Sequence, residues 1–198
     1  TYRPLRTKSP ETLRRQAEAV LKNSGYEEIS LSSLSTSDYG CLSELTGTLL
    51  DFCEPRHISL SLPSLRADSF NAELMERVQK VRKSGLTFAP EAGSKRLRDV
   101  INKNLEEDDL LNACEIAFRG GWNNIKLYFM IGLPTETSED LDGIAEICKK
   151  VAYCWRMNTT NRARGVKVTA SASCFVPKPQ TPFQWDAQNT LEMLAGKQ

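Results

Sequence analysis

The residues of this chain best suited to chemistry stand just after its apolar runs. In Pro90-Glu91-Ala92-Gly93-Ser94-Lys95-Arg96, Glu91 puts a carboxylate at a strand tip and Gly93-Ser94 open a helix. A carboxylate so placed accepts hydrogen bonds from a ribose diol, and a helix N-terminus favours an anion; the plainer role for Glu91 is to complement its own helix dipole. Residues 125–137, IKLYFMIGLPTET, end on Gly132 and Pro134. A glycine lets another molecule approach the backbone and a proline stiffens the turn, so this end is a floor for a flat ligand. Ser32-Ser33-Leu34-Ser35-Thr36-Ser37-Asp38 is a hydroxyl cluster suited to an ammonium or hydroxyl group, or to capping the next helix. Arg66, in Pro63-Ser64-Leu65-Arg66-Ala67-Asp68, offers its guanidinium to a carboxylate or phosphate, or equally to Asp68. Pro177, Pro179 and Pro182 make a rigid, extended exit after Phe175-Val176, which presents backbone groups to a ring or closes a sheet edge.

Such residues need strands that end together. Residues 125–131 carry one charge, Lys126, among β-branched and aromatic types, which predicts a central parallel strand covered on both faces. Further strands are expected at 29–34, 58–62, 86–89 and 166–174, with helices at 38–53, 71–83, a broken segment 94–118, 138–156 and one after Trp185. The first helix starts at Ser9-Pro10-Glu11, where a capping serine, a proline and an acid stand in order, and runs to about Asn23. Thr137 and Asp140 have capping-box spacing. LKNSGYEEISL, VRKSGLTFAPE and AFRGGWNNIKLYF repeat one junction, with Gly25, Gly85 and Gly120 or Gly121 suited to the left-handed position past a helix end. Strand and helix alternate as βα units of a parallel sheet, and the absence of GxGxxG disfavours a dinucleotide-binding sheet and favours a barrel or part of one. The chain opens on a basic linker and a helix, so a first strand is expected upstream. One domain is expected over 1–198, with a linker at 1–8, a polar loop at 158–165 and a C-terminal extension at 177–198.

Composition narrows the class. The 198 residues carry 26 Lys and Arg against 25 Asp and Glu, so bulk charge makes no case for nucleic acid. No run approaches a membrane span and the first residues lack a secretory signal, so no membrane partner and a cytoplasmic location are expected. The six cysteines lack knuckle spacing and read as reduced thiols; Cys148 and Cys154, six apart, fall on different helix faces. No residue is assigned a catalytic or metal-ligating role. His57 precedes its strand and reads as structural, and Trp122, Trp155 and Trp185 are too dispersed for a stacking platform.

Five segments carry a family resemblance: SLSSLSTSDYG at 30–40, LSLPSLR at 60–66, FAPEAGSKRLRDVINK at 88–103, IKLYFMIGLPTET at 125–137, and FVPKPQTPFQW at 175–185. The chain resembles the radical S-adenosylmethionine enzymes, most closely an uncharacterised Fe–S oxidoreductase group whose barrel often follows a cobalamin-binding-like domain. The resemblance implies an α/β fold, a partial (β/α)6 TIM-like barrel of parallel strands, of which this chain supplies units two to six and the first helix. By the resemblance, Ser33, Ser35 and Thr36 stand where the family's glycine-glycine-glutamate holds the amino group of the methionine moiety. Arg66 falls in a matching segment, Glu91 and Ser94 match residues at ribose and carboxylate, and Lys103 stands where a basic residue meets the carboxylate. Met130, Ile131 and Gly132 lie in the adenine motif that ends at Pro134, and Phe175, Val176 and Pro177 line the adenine. Two departures are local: no GGE is present, and Glu136 sits one position later than the motif's usual acid. The third is larger, since the CxxxCxxC that holds the family's [4Fe-4S] cluster is absent and is expected upstream of Thr1. The implied intact enzyme cleaves S-adenosylmethionine reductively, with electrons from a donor such as flavodoxin or ferredoxin. Its 5′-deoxyadenosyl radical takes hydrogen from an unknown substrate, cobalamin joins where its domain is present, and the fragment alone is expected to be inactive. Two rivals remain: an aldolase-like lyase with a Schiff base on Lys126 or Lys167, and an RNA- or protein-binding module using Arg3, Arg6, Lys8, Arg14 and Arg15.

Overall fold

The structure, a computed structural model, describes residues 6–31, 33, 38–61, 86–159, 163 and 165–197. Contacts divide the chain into two units, Thr1–Ser84 and Gly85–Gln198. Among the described residues the strands form two parallel sheets, one in each unit, and no closed barrel.

In the first unit, helix α1 spans Pro10–Ser24. The Ser9 hydroxyl accepts from the Thr12 amide at 3.3 Å, and Gly25 stops the helix at φ 71 while its amide donates to the Leu21 carbonyl at 3.1 Å. Strand β1, Glu28–Ser30, pairs in parallel with β2, Ser59–Ser61, through Glu28↔Ser59 to Ser30↔Ser61. β1 is shorter than the expected 29–34, since the described Leu31 already lies outside it; the residues directly after Ser61 lie outside the described ones. Between them run α2, Leu42–Cys53, and a 3-10 turn, Glu54–Arg56, which His57 closes at φ 55. Ala17 of α1 meets Leu45, Leu49 and Leu50 of α2 and Leu60 of β2 in one buried cluster, with Leu13, Ile29, Leu31 and Tyr39 alongside. Thr46 is fully buried without penalty, because its hydroxyl donates to the Leu42 carbonyl at 2.7 Å. The expected helix at 71–83 and the Gly85 junction lie outside the described residues.

The second unit runs β3 (Leu86–Glu91), α3 (Lys95–Val100), α4 (Glu107–Arg119), β4 (Asn124–Ile131), α5 (Ser138–Asn158), β5 (Lys167–Cys174) and α6 (Leu191–Lys197). The strands are parallel in the order β3-β4-β5, so β4 is central as expected. Coverage of both its faces was also expected, and the structure differs. Ile125, Leu127, Phe129 and Ile131 are buried, whereas Lys126 and Met130 are half-buried and Tyr128 is 42% exposed. Lys126 and Tyr128 bury a stem while a polar end reaches water, so a low charge count overstated the coverage. The broken segment 94–118 divides where Arg98 turns inward: 3% exposed, it donates to the carbonyls of Ala92 at 3.1 Å and Leu105 at 3.1 Å. Helix α4 ends with Gly121 at φ 82, the left-handed position, while Gly120 stays helical. No helix among the described residues is long and apolar enough to cross a membrane.

Candidate functional site

Three chain segments meet where β3 and β4 end. β3 carries one extra residue before its tip, since the register passes from Phe88↔Leu127 to Glu91↔Phe129. Pro90 lies in that bulge and has no N–H for the ladder, so the break falls where pairing is already impossible. Glu91 then takes φ 68, a left-handed conformation that costs a non-glycine residue about 1 kcal/mol or more. Its carboxylate lies 3.6 Å from the Lys103 ammonium, with about a third of each side chain exposed. The structure thus brings together Glu91 and Lys103, twelve residues apart in sequence.

Behind this pair the β3–α3 turn rests directly on α5. An added Cβ on Gly93 would lie 2.2 Å from the Asp140 carbonyl oxygen and 2.4 Å from the Ile144 nitrogen, so only glycine permits this approach. The turn is also tied by Asp140, 3% exposed, whose carboxylate accepts from the Ser94 hydroxyl, from Arg96, and from the Thr137 amide at 2.8 Å and hydroxyl at 3.1 Å. Burial pushes the Asp140 carboxyl up, but these donors outweigh it and hold the group down at about 2. The Ser94 hydroxyl additionally accepts the Leu97 amide at 3.0 Å, capping α3. Arg96 reaches the Thr135 carbonyl at 2.8 Å. Sequence reading placed Asp140 only as a helix cap and left Arg96 without a role; the capping-box spacing was the visible signal, and the bond across to Ser94 had none.

At the tip of β4, Gly132 has φ 77, and its amide donates to both Glu136 oxygens at 2.9 and 3.0 Å. Glu136, its side chain 1% exposed, also holds Lys197 at 2.5 Å. The displaced motif acid therefore fastens the Gly132 backbone and the last turn of α6. The body that approaches Gly132 is the chain itself: a Cβ there would lie 3.2 Å from Asn189 Oδ1 and 3.2 Å from Leu194 Cδ2. Asn189 Oδ1 is buried without a donor. Met130 and Phe183 pack on a cluster of Ala92, Leu97, Leu133 and Phe175, and the Phe175 and Phe183 rings meet edge-on at 6.2 Å. Pro134 and Pro177 are half-buried beside this region in sequence, Val176 is 50% exposed, and Ile131 is buried on the covered face of β4. Ser33 is exposed in the first unit; Ser35, Thr36 and Arg66 lie outside the described residues.

These groups fit parts of one ligand type. The Glu91 carboxylate and Lys103 ammonium suit a diol and a carboxylate, and the apolar cluster suits a flat ring. They do not fit an iron–sulfur cluster. All six cysteines are free, and burial pushes the thiols of Cys53, Cys114, Cys148 and Cys154 up, away from the thiolate form that binds iron. Among the described residues no group of three His, Cys, Asp or Glu side chains is placed to hold a metal.

Residues 1–148 match the family model described as the Radical SAM superfamily. An uncharacterised protein of Methanocaldococcus jannaschii is 37% identical over 183 residues, which cover 92% of this chain and 37% of that protein. Among solved structures, HydG, a maturase of the [FeFe]-hydrogenase, aligns with a TM-score of 0.55 at 13% identity over 99% of this chain and 43% of that one. The Elp3 of Methanocaldococcus infernus, with its N-terminus deleted, aligns with a TM-score of 0.51 at 11% identity over 87% of this chain and 43% of that one. At these identities the two structures establish likeness of fold, and the chain spans well under half of each of these three proteins. With the family match extending over β1 to β4 and about half of α5, the chain belongs to the radical SAM superfamily.

Proposed function

We propose that this chain is the S-adenosylmethionine-holding part of an enzyme that acts by radical chemistry on an unidentified substrate. Membership of the superfamily implies S-adenosylmethionine, a [4Fe-4S] cluster and a reductant in general. The observation that carries the finer reading is the Glu91–Lys103 pair, 3.6 Å apart just past the β3 bulge, in the unit that also holds the Met130 and Phe175 cluster. Met130, Phe175, Val176 and Pro177 give the adenine ring apolar contact, with Ile131, Gly132 and Pro134 at the strand end beside it. Glu91, just past the bulge, accepts from the ribose diol, and Lys103 pairs with the methionine carboxylate. Ser94 acts one step back, holding the turn that carries Glu91 through its bond to Asp140.

When bound, S-adenosylmethionine supplies the 5′-deoxyadenosyl group that takes hydrogen from substrate. The described residues do not fit the cluster, so this chain binds the molecule without cleaving it, and the whole protein draws electrons from a donor such as flavodoxin or ferredoxin. Cobalamin forms no part of the proposal. Saturation-transfer NMR of the chain with S-adenosylmethionine tests the reading, with signal expected on adenine and ribose protons. Glu91→Gln and Lys103→Met should each weaken binding about tenfold. No transfer at about 1 mM ligand, or unchanged binding in both variants, overturns it.

A further inference from the structure

The second face of the β3-β4-β5 sheet carries a charge that the fold does not use. Register pairs Thr87 with Lys126, Lys126 with Thr169, and Tyr128 with Ser171, so these side chains share one face across three strands. Lys126 is half-buried, and its ammonium lies 4.6 Å from the centre of the Tyr128 ring. Tyr128 is the next residue of that face toward the C-terminal end of β4, so the charged head is carried up the strand toward the end where Glu91 and Gly132 stand. Its place in the sequence, near the start of the strand, concealed this. Among the described residues Lys126 has no carboxylate partner, and the hydroxyls of half-buried Thr87, Thr169 and Ser171 form no side-chain hydrogen bond.

A partly desolvated ammonium is ordinarily paired, and an aromatic face is a weaker partner than an anion. Tyr128 steadies the head without neutralising it. The register-paired positions around it offer hydroxyl donors and no competing carboxylate, an arrangement complementary to an oxyanion. Lysine, a compact charge with three donors, serves one oxygen of a phosphate or of a carboxylate equally well.

We infer that the substrate carries an anionic group, a carboxylate or a phosphate, seated on Lys126 with Thr169 and Ser171 donating beside it. The inference rests on the function proposed above only in taking this sheet face as the place where substrate lies.

The test labels the lysines of the chain by reductive 13C-dimethylation, which keeps their charge, and identifies the Lys126 signal with Lys126→Arg. Inorganic phosphate and succinate are titrated separately at constant ionic strength. One of the two should move the Lys126 signal saturably, phosphate marking a phosphorylated substrate and succinate a carboxylate. Lys126→Met, followed through the backbone amides of Thr169 and Ser171, should lose binding by about tenfold or more, whereas Lys126→Arg should hold it within about threefold. A Lys126 signal unmoved by either anion up to about 50 mM, or wild-type affinity in Lys126→Met, overturns the inference. S-adenosylmethionine binding on the same sample keeps the two readings apart. If it persists while the anions fail, this inference alone falls; if it fails, the reading beneath it falls.

Discussion

Replacing Gly93 by alanine tests whether the β3–α3 turn is truly seated on α5. The new Cβ would lie 2.2 Å from the Asp140 carbonyl oxygen, 2.4 Å from the Ile144 nitrogen and 2.7 Å from the Gly143 carbonyl carbon. A carbon and a carbonyl oxygen come no closer than about 3.3 Å, so turn and helix must separate by about 1 Å. All three obstacles are backbone, and no rotamer change relieves them. A gap of that size forfeits a quarter to a half of the dispersion contact along the seam and stretches the Ser94–Asp140–Arg96 ties, for a loss of about 3 kcal/mol. Melting followed by circular dichroism should fall by about 10 °C. Gly143→Ala, whose Cβ would sit 2.8 Å from Gly93, should cost less, because alanine returns about 1 kcal/mol of helix propensity. Gly40→Ala, with nothing within 4 Å, is the neutral comparison. A Gly93→Ala melting point within about 2 °C of wild type, or a larger loss in Gly143→Ala, would refute the packing argument.

Two further outcomes follow from the same region. The Asp140 carboxyl is held at about 2 against an ordinary 3.8, so its ionised form contributes stability that is complete above about pH 4 and is lost as pH falls toward 2; the gap corresponds to about 2 kcal/mol. Urea midpoints of wild type and Asp140→Asn should converge over that interval, and a difference that stays constant with pH would show that ionisation is not the cause. Gly132→Ala combines φ 77 with contacts at 3.2 Å to Asn189 and Leu194, and should cost about 1–2 kcal/mol while weakening S-adenosylmethionine binding. An unchanged melting point would mean that the left-handed backbone there is not required.

The elements legible in advance were those whose causes are local. Ser9, Pro10 and Gly25 bound α1 because a hydroxyl, a fixed φ and a missing Cβ act within one turn. The capping box at Thr137 and Asp140 was visible for the same reason. The run at 125–131 announced a central strand through composition, yet composition does not say which alternate side chains meet a helix, and the second face proved open at Tyr128. Glu91 was named from its place at a strand tip and Lys103 through family likeness, while the bulge at Pro90 just before Glu91 appears only when β3 is laid against β4.

From its sequence alone this protein's family and its alternation of helix and parallel strand are determined, because they depend on residue type and short spacing. Tertiary structure alone decided what those residues touch. Asp140 joins Ser94 across 46 positions, and Glu136 joins Lys197 across 61, bringing α6 against Gly132 so that the chain itself fills the approach expected for a ligand. Contacts of such separation are set by how the elements pack, and packing depends on the whole hydrophobic surface of each element at once.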